Sequence, residues 1–338
     1  MITKAIFKVV ERMNLSEAEM MEAFEEIMDG KATPAQIASL ITALSMKGET
    51  VDEIAGAARC MRQKATSIPL HSKAEVLDTC GTGGDNRNTF NISTAVAFVA
   101  SAAGVRVAKH GNRYISSNCG SADVMEQLGI KVSLKPDEIA RCIDTIGIGF
   151  LFAPNLHGAM KHALAPRKEI GIRTIFNMLG PLTNPAGATM QILGVYDGRM
   201  TEMFARVLHR LGTRRALVVH GLDGLDEITI CAESIISELK NGVVTTSRIH
   251  PMDCGLPMRD LQDIKGGTAN ENAEIISKVL KGEKGPHREI VLINAGAALM
   301  VAGTAGSLKD GMKMAVEAID SGLALNKLKQ LKELSNSF

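Results

Sequence analysis

Apolar positions at helical spacing dominate the first part of the chain, and polar residues mark where each apolar segment begins. Capping boxes, in which Ser or Thr is followed three residues later by Glu or Gln, begin at Ser16, Thr33 and Thr50. Gly30 and Gly48 stand where two of the predicted helices should end. Because such short helices are unstable alone, we expect them to bury their apolar faces on one another or on a partner.

Beyond residue 70 short β-branched runs alternate with runs at helical spacing, which predicts an α/β domain with a mostly parallel central sheet. Strands are predicted at residues 76–77, 105–107, 131–134, 148–153, 191–196, 216–220 and 289–293. Helices are predicted between them at residues 93–103, 121–128, 137–145 and 200–211.

These patterns divide the chain into two predicted domains. Residues 1–70 are predicted to form a small helical domain, and residues 71–338 a larger α/β domain. Prolines interrupt the alternation within residues 154–186, and part of residues 160–186 is expected to join the helical domain.

Composition narrows the class of protein. The net charge of +1, the 3% of aromatic residues and the lack of Trp argue against nucleic-acid binding, which needs a basic face or stacking rings. The six cysteines include no Cys-x-x-Cys pair, as is typical of reduced thiols in a cytoplasmic protein without disulfides or structural zinc. No signal peptide and no membrane-spanning apolar stretch is recognisable, so we expect no membrane partner.

A glycine-rich loop follows the first predicted strand. Gly81, Gly83 and Gly84 stand close together between Val76-Leu77 and the predicted helix 93–103. A strand, a glycine loop and a helix N-terminus form a common phosphate cradle, because free backbone N–H groups face the anion. The spacing matches neither the dinucleotide fingerprint nor the P-loop. The alternative is a tight turn that binds nothing.

Polar side chains near this loop could complete an anion site. Asn91, Ser93 and Thr94 stand at the predicted helix start, where hydroxyl and amide groups can join the free N–H groups. Lys109 and Arg113 could add positive charge.

Two adjacent acids, Asp226 and Glu227, follow a predicted buried strand. Neighbouring carboxylates repel each other unless a cation lies between them, and magnesium prefers such hard oxygen ligands. Asp223 nearby favours a magnesium site slightly. The alternative is a solvated acidic turn, which is common for an isolated Asp-Glu pair.

His157 and Arg167 flank a proline-containing segment. Arginine is the side chain that binds a planar carboxylate through two parallel hydrogen bonds. By themselves the two residues are equally consistent with a structural histidine and a surface arginine. His110, beside Lys109, could act as a base or could be fixed by its loop.

Taken together, the motifs resemble those of the anthranilate phosphoribosyltransferase family, in the expected order. They are GTGGD at residues 81–85, NIST at 91–94, KHGNR at 109–113, GSAD at 120–123, RTIFN at 173–177, GPLTNP at 180–185 and Asp226-Glu227.

The resemblance implies an enzyme that joins anthranilate to phosphoribosyl pyrophosphate (PRPP) with Mg²⁺, in the form of two ions, and that dimerises through its helical domain. The family's PRPP contacts correspond to Gly81, Gly84, Asp85, Thr89, Asn91, Ser93, Thr94, Lys109, Ser117 and Ser121. Its magnesium ligands correspond to Ser93, Asp226 and Glu227, and its anthranilate contacts to Asn112, His157, Arg167 and Gly180. Lys109, Asp226 and Glu227 are the expected catalytic residues.

Departures from the family pattern lie beside the acceptor pocket, where this chain has Leu156-His157-Gly158-Ala159 in place of the common His-His-Pro-Ala. Tyr114 and Cys119 also differ from the usual residues. The alternatives are therefore a transferase of the same fold with another aromatic acceptor, and a binding paralogue without activity. A related nucleoside phosphorylase is disfavoured, because its reaction has no pyrophosphate for magnesium to bridge.

Overall fold

The structure, a computed structural model, describes residues 1–71, 75–113 and 119–338. Its helices are α1 (Ile2–Val10), α2 (Glu17–Met28), α3 (Pro34–Lys47), α4 (Val51–Lys64), α5 (Ile92–Ala102), α6 (Ser121–Gln127), α7 (Pro136–Ile146), α8 (Ala153–Leu156), α9 (Lys161–Ile170), α10 (Phe176–Leu179), α11 (Thr201–Arg210), α12 (Ala269–Leu280), α13 (Pro286–Val301), α14 (Leu308–Asp320) and α15 (Leu323–Asn336). Its strands are β1 (Leu77–Gly81), β2 (Val107–Gly111), β3 (Ile148–Phe152), β4 (Met190–Gly194), β5 (Arg215–Gly221), β6 (Ser234–Lys240) and β7 (Val243–Ile249).

The N-terminal helices begin where their caps predict. Ser16, Thr33 and Thr50 accept hydrogen bonds from the backbone N–H three residues later, and the Glu or Gln at that position bonds back to the cap. Gly30 and Gly48 follow α2 and α3 with φ angles of 71° and 88°, in the left-handed region that glycine tolerates. Helix α9 packs against α2 and α3, so a later segment adds to this bundle.

One sheet organises the rest of the chain, in the order β3-β2-β1-β4-β5-β6-β7. Strands β1 to β5 pair in parallel, whereas β6 and β7 add antiparallel strands at one edge. The predicted fold class, a helical bundle followed by a larger α/β domain with a mostly parallel sheet, is confirmed.

Helices cover both faces of the sheet. Helices α5, α13, α14 and α15 bury one face in a core that includes Ile192 and Val219. The residues between them in the strands, such as Leu193 and Val218, face α11 and the N-terminal helices in a second core. Because the parallel strands are buried on both sides, β4 reads as a nearly continuous apolar run.

Two predicted strands are wrong. Residues 289–293 lie inside α13, which is buried along most of its length and is therefore apolar all round, so its sequence imitates a buried strand. Residues 131–134 form neither a helix nor a strand of the sheet. Val132 and Leu134 point into the core, and the Lys131 N–H donates instead to Ser335 Oγ at 3.2 Å.

Strands β6 and β7 are additions to the predicted set of strands. They pair over their whole length, and most of β7 is exposed on its outer side. No helix in the described ranges combines the length and the apolar character that crossing a bilayer requires.

Candidate active site

The glycine loop and the acidic pair meet at the carboxyl end of the sheet. The backbone N–H of Gly83 donates to Asp226 Oδ2 at 3.0 Å, although the two residues are 143 positions apart. The N–H of Thr82 donates to the carbonyl of Gly194 at 2.8 Å, which fixes the loop to the end of β4. This edge of a parallel sheet is where open α/β folds bind ligands.

Close backbone approach explains two glycines in this region. A Cβ at Gly81 would lie 2.5 Å from Asp226 Oδ2. A Cβ at Gly194 would overlap the main-chain carbonyl oxygen of Asp226. The loop that carries the acidic pair can therefore rest on the ends of β1 and β4 only because neither position has a side chain.

Asp85, Asp226 and Glu227 form a group of neighbouring acids. Burial raises the pKa of each of the three, and the negative charge of Asp85 raises the pKa of Asp226 further. For Glu227 the second cause is the charge of Asp226, while Lys109 acts in the opposite direction. A cation among these groups would relieve the repulsion.

These acids fit a magnesium ion. Asp85 Oδ2 is buried and has no hydrogen-bond partner, so one hard oxygen ligand is left unsatisfied. Within the described ranges no three His, Cys, Asp or Glu side chains converge closely enough to enclose an ion by themselves. A bound Mg²⁺ would therefore use one or two carboxylates and complete its shell with water and phosphate oxygens, as is usual for this ion.

Lys109 provides positive charge beneath the loop. Its side chain is 1% exposed, and Nζ donates to the Thr79 carbonyl at 2.6 Å and to Ser93 Oγ at 3.2 Å. Burial lowers the pKa of Lys109, and the nearby Asp78 carboxylate opposes that shift. The predicted second cation, Arg113, is instead paired with Asp123 and Glu126 on α6, so its charge is compensated there.

The start of α5 offers one free hydroxyl to a ligand. Thr94 is fully buried, and its Oγ1 has no hydrogen-bond partner. The Asn91 side chain makes no cap bond to α5: its Nδ2 donates to the Cys119 carbonyl and its Oδ1 accepts from Asn272. The Asn91 amide thus holds neighbouring segments together, and its contact with an anion stays a prediction.

The other residues predicted to contact PRPP lie on segments around this edge of the sheet. Thr89 forms an isolated antiparallel bridge with Lys265. Ser121 Oγ, at the start of α6, accepts from the Asn112 N–H at 3.2 Å. The Gly84 carbonyl accepts from Arg173. Ser117 and Tyr114 lie outside the described residues.

A histidine pair connects the segment of the predicted PRPP-binding residues with that of the predicted anthranilate-binding residues. His110 Nε2 and His157 Nε2 are 3.2 Å apart, and His110 also bonds to the backbone of Gly180. Burial lowers the pKa of His110 to about 3 and that of His157 to about 4, so both rings are neutral at pH 7. His110 is therefore held by protein groups on both ring nitrogens.

Arg167 lies on α9 with its guanidinium 4.9 Å from the centre of the Phe176 ring. In the described chain no carboxylate or hydrogen-bond partner is found for it, and burial lowers its pKa. An uncompensated, half-buried guanidinium is suited to an anionic ligand. Among the departures from the family pattern, Leu156 is a core residue and Gly158 is exposed.

Sequence reasoning missed two residues that organise the site, Asn294 and Asn272, and gave no role to Arg173 although it stands in a quoted motif. Asn294 in α13 is fully buried; its Oδ1 accepts from the Ile228 N–H at 3.0 Å and its Nδ2 donates to the Ile228 carbonyl at 2.8 Å. Asn272 holds Asn91, and Arg173 holds the glycine loop. A polar residue inside the apolar run of α13 was the one available signal for Asn294.

The architecture and this site together define a glycosyltransferase. Residues 3–65 match the family described as "Glycosyl transferase family, helical bundle domain", and residues 73–325 match "Glycosyl transferase family, a/b domain". An anthranilate phosphoribosyltransferase from Moorella thermoacetica is 58% identical over 332 residues, which cover 98% of this chain and 97% of that protein. The chain belongs to the anthranilate phosphoribosyltransferase family.

Solved structures agree with this assignment. The anthranilate phosphoribosyltransferase of Thermus thermophilus is 42% identical, with a TM-score of 0.93 over 98% of this chain and 99% of that one. The Saccharomyces cerevisiae enzyme in complex with PRPP and Mg is 27% identical, with a TM-score of 0.91 over 100% of this chain and 98% of that one. The yeast enzyme has also been solved with 4-fluoroanthranilate.

Proposed function

We propose that this protein transfers the phosphoribosyl group of PRPP to the amine of anthranilate, as a step of tryptophan biosynthesis. The products are N-(5-phosphoribosyl)anthranilate and pyrophosphate. The observation that carries the proposal is the contact between Gly83 and Asp226, which joins the phosphate-binding loop to the acidic pair. The similarity to anthranilate phosphoribosyltransferases along nearly the whole chain supports the same reaction.

The donor half of the site stabilises the departing pyrophosphate. In the reaction the C–O bond from the anomeric carbon to pyrophosphate breaks, the amine nitrogen forms the new bond, and the proton lost by the amine passes to the departing pyrophosphate or to water. Lys109 and the loop N–H groups beyond Thr82 and Gly83, which are bonded to Gly194 and Asp226, provide fixed positive potential where negative charge develops. Such potential is usually the largest contribution to this kind of catalysis. Mg²⁺, held by Asp226, Glu227 and Ser93, would neutralise phosphate charge.

We further propose that two Mg²⁺ ions take part. The support is that Asp85 lies beside the Asp226–Glu227 pair, so three neighbouring carboxyl groups are available as metal ligands. The yeast relative was solved with PRPP and Mg, which supports magnesium as the metal.

The acceptor half requires orientation more than activation, because the amine must face the anomeric carbon at close range. Arg167 is proposed to bind the anthranilate carboxylate, with Asn112, His157 and Gly180 lining the pocket. Its uncompensated guanidinium supports this role.

Anthranilate fluorescence gives a direct test of the proposed function. Purified protein with PRPP, Mg²⁺ and anthranilate should consume the fluorophore and release pyrophosphate, and omission of any one component should stop both signals. Binding of PRPP without turnover of anthranilate would contradict the proposal and would favour another aromatic acceptor.

Replacing Arg167 by alanine is expected to raise the KM for anthranilate roughly 10- to 100-fold, because a charged hydrogen bond to a carboxylate contributes about 1.5–3 kcal/mol. The KM for PRPP should not change. Lys168→Ala, which removes the adjacent exposed charge, is the matched control and should behave as wild type. An unchanged anthranilate KM in Arg167→Ala would assign the carboxylate to another residue.

We also propose that the protein is a homodimer that associates through its helical domain. Several exposed apolar side chains of that domain lie on two adjacent helices. Phe7 and Val10 on α1 are 67% and 62% exposed, and Met46 on α3 is 73% exposed. Exposed apolar groups on two adjacent helices support a protein interface.

A charge placed in this patch should separate the subunits. Phe7→Glu is expected to elute as a monomer in size-exclusion chromatography with light scattering, because a buried unpaired carboxylate is costly. Met252→Glu, at a residue 66% exposed in the α/β domain, should remain dimeric. A dimeric Phe7→Glu protein would exclude this surface.

Residues 1–70 with part of 160–186 are proposed as the helical domain and residues 71–338 as the phosphoribosyl-binding domain. The packing of α9 on α2 and α3 supports this division. All six cysteines lie in the described ranges and none of them forms a disulfide, which supports a cytoplasmic location.

A further inference from the structure

We propose that Arg173 and Tyr196 act together as positioning residues that fix the glycine loop in its donor-binding conformation. The inference rests on the proposed function and assigns a role to two residues outside the motif positions considered for substrate contact. Arg173 follows α9, and Tyr196 follows β4, so the two residues reach the loop from different parts of the fold.

Two contacts connect this pair with the loop, and a third joins the two residues to each other. The Arg173 guanidinium donates through Nη2 to the Gly84 carbonyl. Its Cζ lies 4.2 Å from the centre of the Tyr196 ring, a close cation–π distance. The Tyr196 backbone N–H donates to Thr82 Oγ1 at 3.2 Å. The loop is therefore held at two positions, Thr82 and Gly84, by residues that also contact each other.

The conformation of Gly84 agrees with this role. Gly84 has a φ angle of 80°, and a Cβ there would lie 3.0 Å from Arg173 Nη2. A carbonyl held by Arg173 cannot turn toward the phosphates, so the peptide plane keeps its orientation. Because a phosphate cradle works only while its N–H groups face the anion, the orientation of this peptide matters for PRPP binding.

Arg173 also connects the loop to the helical domain. Its main-chain carbonyl accepts from Ser45 Oγ of α3 at 3.2 Å. In the described chain no carboxylate forms an ion pair with Arg173, so its charge alone could also attract PRPP. A positioning role requires the planar guanidinium, because only this group can stack on Tyr196 and donate to Gly84 at once. A purely electrostatic role requires only a positive charge, which lysine also supplies.

Steady-state kinetics separates these roles. Arg173→Ala should raise the KM for PRPP roughly 10- to 100-fold, the loss expected for one charge-assisted hydrogen bond, and leave the anthranilate KM unchanged. Arg173→Lys should recover only part of the affinity. Tyr196→Leu should resemble Arg173→Ala, whereas Tyr196→Phe should resemble wild type because it keeps the ring. The double variant should be no worse than Arg173→Ala alone.

Hydrogen exchange provides a second readout. The amides of residues 82–85 should exchange faster in Arg173→Ala, while those of the sheet remain protected. Arg199→Ala is the matched control, since exposed Arg199 pairs with Asp197 and, among the described residues, forms no hydrogen bond or ion pair with the loop. Complete recovery by Arg173→Lys, additive losses in the double variant or an unchanged PRPP KM would overturn the inference. Absence of PRPP binding by wild type in titration calorimetry would instead contradict the proposed function.

Discussion

Asp226→Asn is expected to reduce kcat/KM for PRPP by ~10²- to 10³-fold, the loss typical of removing one preorganised electrostatic group from an active site. The substitution keeps the shape of the side chain, and its Oδ1 can still accept from the Gly83 N–H. What is lost is the negative charge that would hold Mg²⁺. A magnesium titration of the fluorescence assay should therefore show saturation only at higher metal concentration.

Glu202→Gln is the control for this prediction, because it removes one carboxylate from an exposed ion pair on α11. Surface pairs contribute little, so its activity should equal that of wild type. If Asp226→Asn kept normal activity with an unchanged magnesium requirement, the acidic pair would have no role in metal binding and the proposed chemistry would be wrong.

Gly194→Ala is expected to lower both stability and activity. The new methyl group would overlap the main-chain carbonyl of Asp226, so the loop that carries the acidic pair must move. Overpacking of a rigid site costs about 3 kcal/mol at the upper end of observed values. A displacement of about 1 Å at the reacting groups can cost roughly 10²-fold in rate. Chemical denaturation and the fluorescence assay measure the two effects separately.

Gly306→Ala is the matched control. Gly306 is exposed, has no positive φ and has nothing within 4 Å of the added Cβ. The same change of residue should therefore leave turnover as in wild type and should not lower stability, since Gly→Ala at a compatible position stabilises by about 0.4–1 kcal/mol. A Gly194→Ala protein with wild-type stability would show that the end of β4 does not support the Asp226 loop.

Both predictions concern the same physical arrangement, in which buried acids and a buried lysine lie close together under a glycine loop. Burial raises the pKa of Glu227 and lowers that of Lys109, and their mutual attraction opposes both shifts. Buried groups of opposite charge with shifted pKa values are typical of functional sites. They are not typical of stabilising ion pairs, because removing the charges from water costs folding free energy.

Local sequence accounts well for the elements that depend on local interactions. The caps at Ser16, Thr33 and Thr50 place the first helices, since a capping box involves residues only three positions apart. The spacing of apolar residues does not predict the element correctly where burial on all sides determines the sequence. The apolar residues 289–293 could equally be a buried strand or a buried helix, and packing over the sheet selects the helix.

The order of amino acids is enough to predict the helical bundle, the α/β alternation, the glycine loop, the family and the residue types available for phosphate and metal. The folded chain is needed to show that Gly83 meets Asp226, that Asp85 adds to the acidic pair, and that Asn294 and Arg173 hold the loops in place. The reason is that these contacts join residues far apart in the chain. Their geometry depends on how the sheet brings strand ends together, which no local pattern encodes.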